Sequence, residues 1–323
     1  MNSSSPEILH VAVVGAGLVG SSWAVVFARA GLHVSLYDAD PTQRQRARVQ
    51  IERALGELAA ASLLRGTVAE SLARVRDCAS LTAAVDGADY VQESIAEALP
   101  AKRELFAALD MAAEGRTILA SSTSAFATSA IADSLPGRGR IVVAHPVNPP
   151  HLVPFVEVSG APFTQPEVVA RTLQFMASIG QSPIEIRREI HGFVLNRLQW
   201  TLMAEAYRLV RDGVATAEDV DRAIRDGLGR RWAFMGPFET GDLNAPQGIA
   251  DYFARFGPTF EQIDAERRGD PLSLDPLVVA GIHADCRERW PESQRATRLD
   301  ARDQRLLALA AHLAPAAPRA AKA

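Results

Sequence analysis

The stretch ILHVAVVGAGLVGSSWAVVFARA, residues 8–30, decides the fold because it joins a short apolar run, a glycine-rich turn and a helical pattern. The apolar run ends at Val14 and has the length of a buried β-strand. GAGLVG follows with no gap and has the GxGxxG spacing of a turn that binds dinucleotides. This order predicts a nucleotide-binding strand, turn and helix at the start of the chain.

Each glycine of this turn has a steric reason. Gly15 permits the tight bend, Gly17 lets the backbone approach a pyrophosphate, and Gly20 lets the helix pack closely on the strand. The helix begins with Leu18 and Val19, where free backbone N–H groups and the positive end of the helix dipole point at the phosphates. We therefore predict that these five residues bind the pyrophosphate of a dinucleotide.

A second predicted strand, His33 to Asp38, ends in a carboxylate about 20 residues after the glycines. At that distance Asp38 accepts hydrogen bonds from the ribose hydroxyls of adenosine, and its charge repels a 2′-phosphate. The sequence therefore predicts NAD as the cofactor, in preference to NADP.

The composition argues against several other classes of protein. Of the 323 residues 48% are hydrophobic, enough to fill the cores of two domains. A net charge of −4 gives no basic surface for nucleic acid, and Cys78 and Cys286 are too isolated for a disulfide framework or a metal site. Residues 1–7 lack a signal-peptide pattern and no apolar run reaches membrane-spanning length, so we expect a soluble cytoplasmic protein.

Predicted strands alternate with helical segments, a pattern typical of a doubly wound parallel sheet. Further strands are predicted at residues 88–94, 117–121, 141–144, 153–158 and 183–186. Ligands of such sheets bind beyond the carboxyl ends of the strands. The polar residues at these ends are Glu93 to Glu97, Ser121 to Ser124 and His145, together with Gly15 and Asp38.

The pattern changes to purely helical from Gly192 onward. Apolar residues recur at three- and four-residue spacing from Phe193 to Leu209, and no strand follows them. We therefore predict an α/β fold, with a Rossmann-like doubly wound sheet domain at residues 7–189 and an all-helical domain at residues 190–312. The Ala/Pro-rich residues 313–323 are predicted to be a disordered tail.

His145 lies where the chain is predicted to reverse, because the PVNPP after it cannot continue a ladder of hydrogen bonds. The predicted return strand carries Glu157 near its end. Oxidation of an alcohol requires a base for the hydroxyl proton, a role that suits histidine, and a carboxylate can orient the imidazole. Ser124 and Asn196 can supply hydrogen bonds to the reacting oxygen.

Each of these side chains also has a purely structural interpretation. His145 can be a satisfied polar residue at a strand end, and Glu157 a surface carboxylate at a strand terminus. Ser124 can cap the helix near Thr128, where serine is favoured, and Asn196 can be an amide on a helix face. The residues alone leave these alternatives open.

Six motifs, in their order along the chain, resemble those of the L-3-hydroxyacyl-CoA dehydrogenase superfamily. The resemblance runs from residue 8 to about residue 260. The motifs are Gly15–Gly20, Glu93–Glu97 with Lys102, Ser122–Ser124, His145–Pro149, Val156–Val158 and Gly192–Arg197.

The resemblance implies a role for each matched residue. His145 is implied to be the general acid/base and Glu157 its partner. A homodimer joined through the helical half is implied as well. The groups implied to bind the reacting oxygen are Ser124 and Asn196, and those implied to contact the nicotinamide side of NAD are Glu97, Lys102 and Asn148.

Residues 227–240, GLGRRWAFMGPFET, resemble the lambda-crystallin (L-gulonate 3-dehydrogenase) branch, and short L-carnitine dehydrogenases share much of this segment. Members that act on acyl-CoA commonly carry an aromatic residue after the histidine. This chain has Pro146 there, which argues against a thioester substrate. Arg231 can clamp the carboxylate of a free hydroxy acid with its planar guanidinium, the alternative being a salt bridge at a helix end.

The sequence therefore predicts an NAD-dependent dehydrogenase that oxidises the 3-hydroxyl of a short hydroxy acid to the 3-keto acid, with the helical domain closing the substrate side. Alternative substrates within this class are L-carnitine and a 3-hydroxyacyl-CoA such as 3-hydroxybutyryl-CoA. The alternative of another class is an NAD-binding structural protein without turnover. The presence of all four expected side chains argues against it.

Overall fold

The computed structural model describes residues 7–314, and its first part is one sheet of eight strands. The strands are β1 His10–Val14, β2 His33–Tyr37, β3 Val75–Asp77, β4 Tyr90–Glu93, β5 Ile118–Ser121, β6 Ile141–Pro146, β7 Phe155–Ser159 and β8 Ser182–Ile186. They lie in the order β3-β2-β1-β4-β5-β6-β7-β8. Neighbouring strands are parallel, except that β6 and β7 pair antiparallel.

Helices pack on both faces of the sheet and make up the chain that follows it. The predicted fold class, a Rossmann-like doubly wound sheet followed by helices, is confirmed. The helices are α1 Leu18–Arg29, α2 Pro41–Ala60, α3 Val68–Ala73, α4 Leu81–Val85, α5 Leu99–Ala112, α6 Thr128–Ala132, α7 Pro166–Ser178, α8 Leu195–Arg211, α9 Ala217–Arg222, α10 Gly229–Trp232, α11 Pro237–Leu243, α12 Ile249–Gly269, α13 Pro276–Arg289 and α14 Arg295–Leu313.

The strand order reverses at β1, which lies between β2 and β4. In a doubly wound sheet such a switch point opens a crevice beyond the carboxyl ends of the strands. Gly15 follows β1 directly, and its backbone N–H donates to the carbonyl of Tyr37 at the end of β2 (2.8 Å). The glycine turn therefore lies at the switch point.

Successive residues of β1 face opposite sides of the sheet and enter two different cores. Val11 and Val13 belong to the core that contains α1 and α7, where the Trp23 and Phe27 rings stack with centroids 5.3 Å apart. Phe27 in turn stacks on Phe175 of α7 at 5.9 Å. The aromatic stack fixes α1, and with it the glycine turn, on the sheet.

The differences from the sequence prediction include the strand β3 and the end of β6. β3 was not predicted, because it has only three residues and two of them, Arg76 and Asp77, are exposed, so no apolar pattern marks it. β6 was predicted to end at residue 144 but runs through His145 and Pro146, because β7 pairs back along it and Pro146 lies opposite Val156.

By its contacts the described chain divides into two compact units. The first unit comprises the chain up to Arg197 together with the segment that starts at Arg302. The second unit is Leu198–Ala301. The returning part of α14 buries Leu307 in the core of the first unit. The predicted domain limits at residues 189 and 312 stay predictions, and residues 315–323 of the predicted tail lie outside the described residues.

The second unit is helical throughout and leaves many large apolar side chains exposed. Trp200, Phe234, Phe238 and Phe253 are each exposed by 46% or more. An exposed apolar surface of this kind suits a subunit interface, and the predicted homodimer stays a prediction. Within residues 7–314, no helix has both the length and the apolar composition needed to cross a bilayer.

Gly20 and Gly17 provide a matched pair for testing the turn. A Cβ on Gly20 would collide with the backbone carbonyl of Gly15, whereas a Cβ on Gly17 would meet no atom within 4 Å. We expect Gly20→Ala to lower the free energy of unfolding by roughly 1–3 kcal/mol, and Gly17→Ala by less than about 1 kcal/mol. Urea denaturation without cofactor measures both, and equal losses would contradict the assigned packing.

Candidate active site

A histidine and a glutamate face each other on the antiparallel strands β6 and β7. His145 lies directly opposite Glu157, and its Nδ1 is 2.8 Å from the Glu157 Oε2. Both residues are buried, with 6% and 1% of their surface exposed. The contact follows from the pairing, because directly opposite residues of antiparallel strands present their side chains on the same face.

The second carboxylate oxygen of Glu157 holds the start of α8. Glu157 Oε1 accepts hydrogen bonds from the backbone N–H groups of Val194 (2.8 Å) and Leu195 (2.9 Å). These N–H groups have no partner inside the helix, and the positive end of the helix dipole favours a carboxylate. Glu157 therefore joins the β6–β7 pair to the first turn of α8.

Phe193 packs against the imidazole from the segment before α8. Gly192 and Phe193 both have positive φ, 77° and 49°, which bends the chain sharply at this point. The Phe193 ring is buried, and its centroid lies 5.5 Å from that of His145. With the Nδ1–H of His145 donated to Glu157, Nε2 is the ring nitrogen left to exchange a proton.

Ser124 and Asn196 lie together, through a contact that the sequence does not reveal. The Asn196 Nδ2 donates to the backbone carbonyl of Ser124 (3.0 Å). The Ser124 hydroxyl is on an exposed residue, and its contact is a long one, 3.5 Å to the Glu97 Oε1. It does not cap α6, whose N-cap is Ala127 without a side-chain bond. The hydroxyl is therefore free to turn toward a ligand.

Glu97 is fixed by the loop after β5. Its Oε1 accepts hydrogen bonds from the Thr123 hydroxyl (2.5 Å) and the backbone N–H of Ser124 (2.9 Å), and its Oε2 lies 3.2 Å from the Lys102 Nζ. Partial burial alone would raise the pKa of Glu97. The Thr123 hydrogen bond and the Lys102 charge outweigh burial and hold that pKa below its ordinary value.

Lys102 forms ion pairs with Glu97 and Glu93. Its side chain is only 1% exposed, and its Nζ also lies 2.7 Å from the Glu93 Oε1. Glu93 in turn accepts a hydrogen bond from the Ser121 hydroxyl. The Lys102 ammonium is therefore paired with two carboxylates, of which Glu97 is the more exposed. The predicted contact of Lys102 with NAD stays a prediction.

The glycine turn and Asp38 fit a dinucleotide. Gly15 has a φ of 98°, and the space beside Gly17 is open. The Gly17 N-cap offers no side chain, so the first N–H groups of α1 are available to phosphate oxygens. Asp38 accepts the backbone N–H of Ala16 (2.8 Å) and of Asp40 (2.9 Å), which places its carboxylate beside the turn.

Asn148 and Arg231 are the two remaining predicted site residues. Asn148 is exposed in the loop after β6. Arg231 is exposed on α10, in the second unit, and has no carboxylate within ion-pair distance among residues 7–314, whereas Arg230 beside it lies 3.9 Å from Asp226. Within this range Arg231 therefore forms no salt bridge at the helix end, and its contact with substrate stays a prediction.

Sequence reasoning gave no individual role to Ser122, although it stands in a matched motif. Its hydroxyl accepts hydrogen bonds from Gln92 (2.7 Å) and from the indole of Trp23 (3.2 Å), which ties β4 and α1 to the end of β5. The sequence feature that could have indicated this role is the position of Ser122 directly after a predicted strand.

In the part of the chain that the structure describes, no three His, Cys, Asp or Glu side chains are grouped to hold a metal ion.

Comparison with known families defines the class of this protein. The NAD-binding domain of 3-hydroxyacyl-CoA dehydrogenase matches residues 10–190, and the C-terminal domain of the same enzyme matches residues 192–268. The chain belongs to the 3-hydroxyacyl-CoA dehydrogenase family. It is an NAD-dependent oxidoreductase, and both the predicted cofactor and the resemblance are confirmed.

Its relatives include lambda-crystallins and L-carnitine dehydrogenases. The lambda-crystallin homolog of Bos taurus is 45% identical over 81% of this chain and 81% of that protein. The L-carnitine dehydrogenase of Streptomyces griseus is 38% identical over 87% of this chain and 83% of its own. A solved 5-formyl-3-hydroxy-2-methylpyridine 4-carboxylic acid 5-dehydrogenase, an NAD+-dependent dismutase, superposes with a TM-score of 0.77 at 27% identity, over 94% of this chain and 97% of that one.

The lowered pKa of Glu97 predicts a pH-dependent contribution to stability. A group whose folded pKa is depressed stabilises the fold when ionised, and this contribution is lost as the pH falls through the folded pKa. We expect Glu97→Gln to be less stable than the wild type at pH about 7, and the difference to shrink below pH about 4.5.

Urea denaturation at several pH values measures this difference. The exposed Glu104 of α5 provides the control, because the stability of Glu104→Gln should follow that of the wild type at every pH. A Glu97→Gln deficit that does not change with pH would show that the ionised carboxylate is not what stabilises this loop.

Proposed function

We propose that this protein oxidises the 3-hydroxyl of a short hydroxy acid to the 3-keto acid, with NAD as hydride acceptor. The observation that carries the proposal is the buried contact between His145 and Glu157. His145 lies near the carboxyl end of β6, at the same edge of the sheet as the glycine turn that follows β1. A base beside a nicotinamide site is what alcohol oxidation requires.

In the proposed mechanism His145 takes the hydroxyl proton of the substrate on Nε2. Glu157 accepts the Nδ1–H, fixes this tautomer and stabilises the imidazolium that forms. Bound NAD supplies the acceptor for the hydride that leaves C3. The Ser124 hydroxyl and the Asn196 amide, held together at 3.0 Å through the Ser124 carbonyl, hydrogen-bond the reacting oxygen.

The remaining residues are proposed to hold the cofactor. Asp38 binds the adenosine ribose beside the glycine turn, and Glu97 faces the ribose on the nicotinamide side, with Lys102 beneath it. Asn148 lines the nicotinamide pocket from the loop after β6.

A free carboxylic acid is favoured as the substrate for two reasons. Pro146 replaces the aromatic residue common in the acyl-CoA enzymes. Arg231 has no ion-pair partner among residues 7–314, and its guanidinium can bind a carboxylate with two hydrogen bonds. L-Gulonate is the first candidate. L-Carnitine is the second, supported by the similarity to L-carnitine dehydrogenases.

His145→Gln tests the base. Glutamine keeps a polar side chain but cannot take the proton, so we expect turnover to fall by about 10²–10⁴-fold while NADH affinity is retained. Steady-state kinetics and NADH titration measure the two quantities. His33→Gln, at the exposed start of β2, is the control and should match the wild type. A variant at residue 145 that turns over normally would remove His145 from this role.

Arg231→Ala tests the carboxylate clamp on a panel of L-gulonate, 3-hydroxybutyrate, L-carnitine and 3-hydroxybutyryl-CoA. Loss of a charge-assisted hydrogen bond costs about 1.5–3 kcal/mol, so we expect KM for the preferred free acid to rise roughly 10–100-fold. Arg230→Ala is the neighbouring control. An unchanged KM would refute the clamp, and a preference for the CoA ester would refute the free-acid substrate. Absence of turnover on the whole panel, with NADH still bound, would favour the non-catalytic alternative.

A further inference from the structure

The loop between β6 and β7, residues 147–154, is fastened to α1 through His151. The Ser22 hydroxyl and the His151 Nδ1 lie 2.5 Å apart, and the backbone N–H of His151 donates back to the same hydroxyl (3.2 Å). Two hydrogen bonds between one serine and one histidine form a closed ring. The loop therefore cannot shift along α1 without breaking both bonds.

A second hydrogen bond joins the same residue to Arg29, the last residue of α1. The Arg29 guanidinium donates to the backbone carbonyl of His151 (2.8 Å). The next residue, Leu152, is buried in the core that also contains Trp23 and Phe27. His151 is thus held by its imidazole, its N–H and its carbonyl, all from α1.

The same helix is fastened to the cofactor turn by the residue beside Ser22. The Ser21 hydroxyl donates to the backbone carbonyl of Ala16, inside the glycine turn (3.1 Å). Two consecutive serines of α1 therefore bond two different loops. One is the turn that receives the pyrophosphate, and the other is the loop that follows the strand of His145.

The protonation state of His151 suits this contact. Burial and the neighbouring Arg29 charge lower its pKa to about 4, and only Asp303 of α14 acts in the opposite direction. The imidazole is therefore neutral at neutral pH. Its Nδ1 accepts the Ser22 hydroxyl proton, and the hydroxyl oxygen accepts the His151 N–H.

We propose that His151 is a positioning residue that fixes the 147–154 loop to α1 and so sets where the nicotinamide half of NAD lies relative to His145. The proposal rests on the proposed function for the roles of His145 and of Asn148, which lies in the same loop and is proposed to line the nicotinamide pocket. The adenosine half depends on the glycine turn and Asp38, which His151 does not touch. Loss of the contact should therefore disturb one half of the cofactor and spare the other.

Two substitutions at this position make the test. His151→Ala removes both the Nδ1 acceptor and the ring, whereas in His151→Asn the side-chain oxygen takes the position of Nδ1 and can still accept from Ser22. His33→Ala serves as the control for loss of an exposed histidine. The measurements are ADP-ribose affinity, fluorescence of bound NADH, kcat, and the melting temperature.

We expect His151→Ala to bind ADP-ribose within about twofold of the wild type, to lose most of the NADH fluorescence enhancement, and to lower kcat at least about tenfold, because small misplacements of reacting groups are costly. His151→Asn should restore the fluorescence and most of kcat. A lower melting temperature with unchanged NADH fluorescence and kcat would overturn the proposal, and so would failure of His151→Asn to rescue.

The fluorescence measurement separates this proposal from the proposed function. If the wild type binds NADH with enhanced fluorescence but turns over no substrate, the function is wrong, and the positioning role is still decided by His151→Ala. If His151→Ala does not fold, Ser22→Ala removes the same hydroxyl contact without opening a ring-sized cavity, and its NADH fluorescence decides instead.

Discussion

The carboxylate of Glu157 is the constraint on which the candidate site depends. One oxygen holds the His145 ring at 2.8 Å, and the other accepts the first N–H groups of α8. A buried carboxylate is costly unless each oxygen has donors, and here both do. The same group therefore orients the imidazole, joins β6 to β7, and sets where the helical part of the chain begins.

A second buried charge group supports the site from the neighbouring strands. Lys102 is enclosed by Glu93 and Glu97. Their other oxygens accept hydrogen bonds from the hydroxyls of Ser121, at the end of β5, and of Thr123 in the loop that follows. Desolvation offsets much of the attraction between buried charges, but at the partly exposed Glu97 the Thr123 hydrogen bond and the Lys102 charge outweigh it. The network also has a geometric effect, since it holds Glu97 in one orientation at the carboxyl edge of the sheet, where we propose that NAD binds.

The helix α1 contacts both the glycine turn and the loop after β6, the two segments proposed to hold the cofactor. Its aromatic side chains anchor it in the core of the first unit, its first turn carries the glycine turn, and Ser22 holds the loop after β6. Because the interior packs densely around α1, the helix resists deformation when a neighbouring segment shifts. This rigidity keeps the glycine turn and the loop after β6 at a fixed spacing, although they are far apart in sequence.

The sequence by itself determined the glycine turn, Asp38, the alternation of strands and helices, and the change to a helical pattern near Gly192. Each of these is a local pattern of apolar spacing or turn chemistry that needs no distant partner. Tertiary structure decided the rest: the short strand β3, the burial of Lys102, the second bond of Glu157, and the return of α14 to the first unit. These depend on contacts between segments far apart in the chain, and no local periodicity encodes which of them meet.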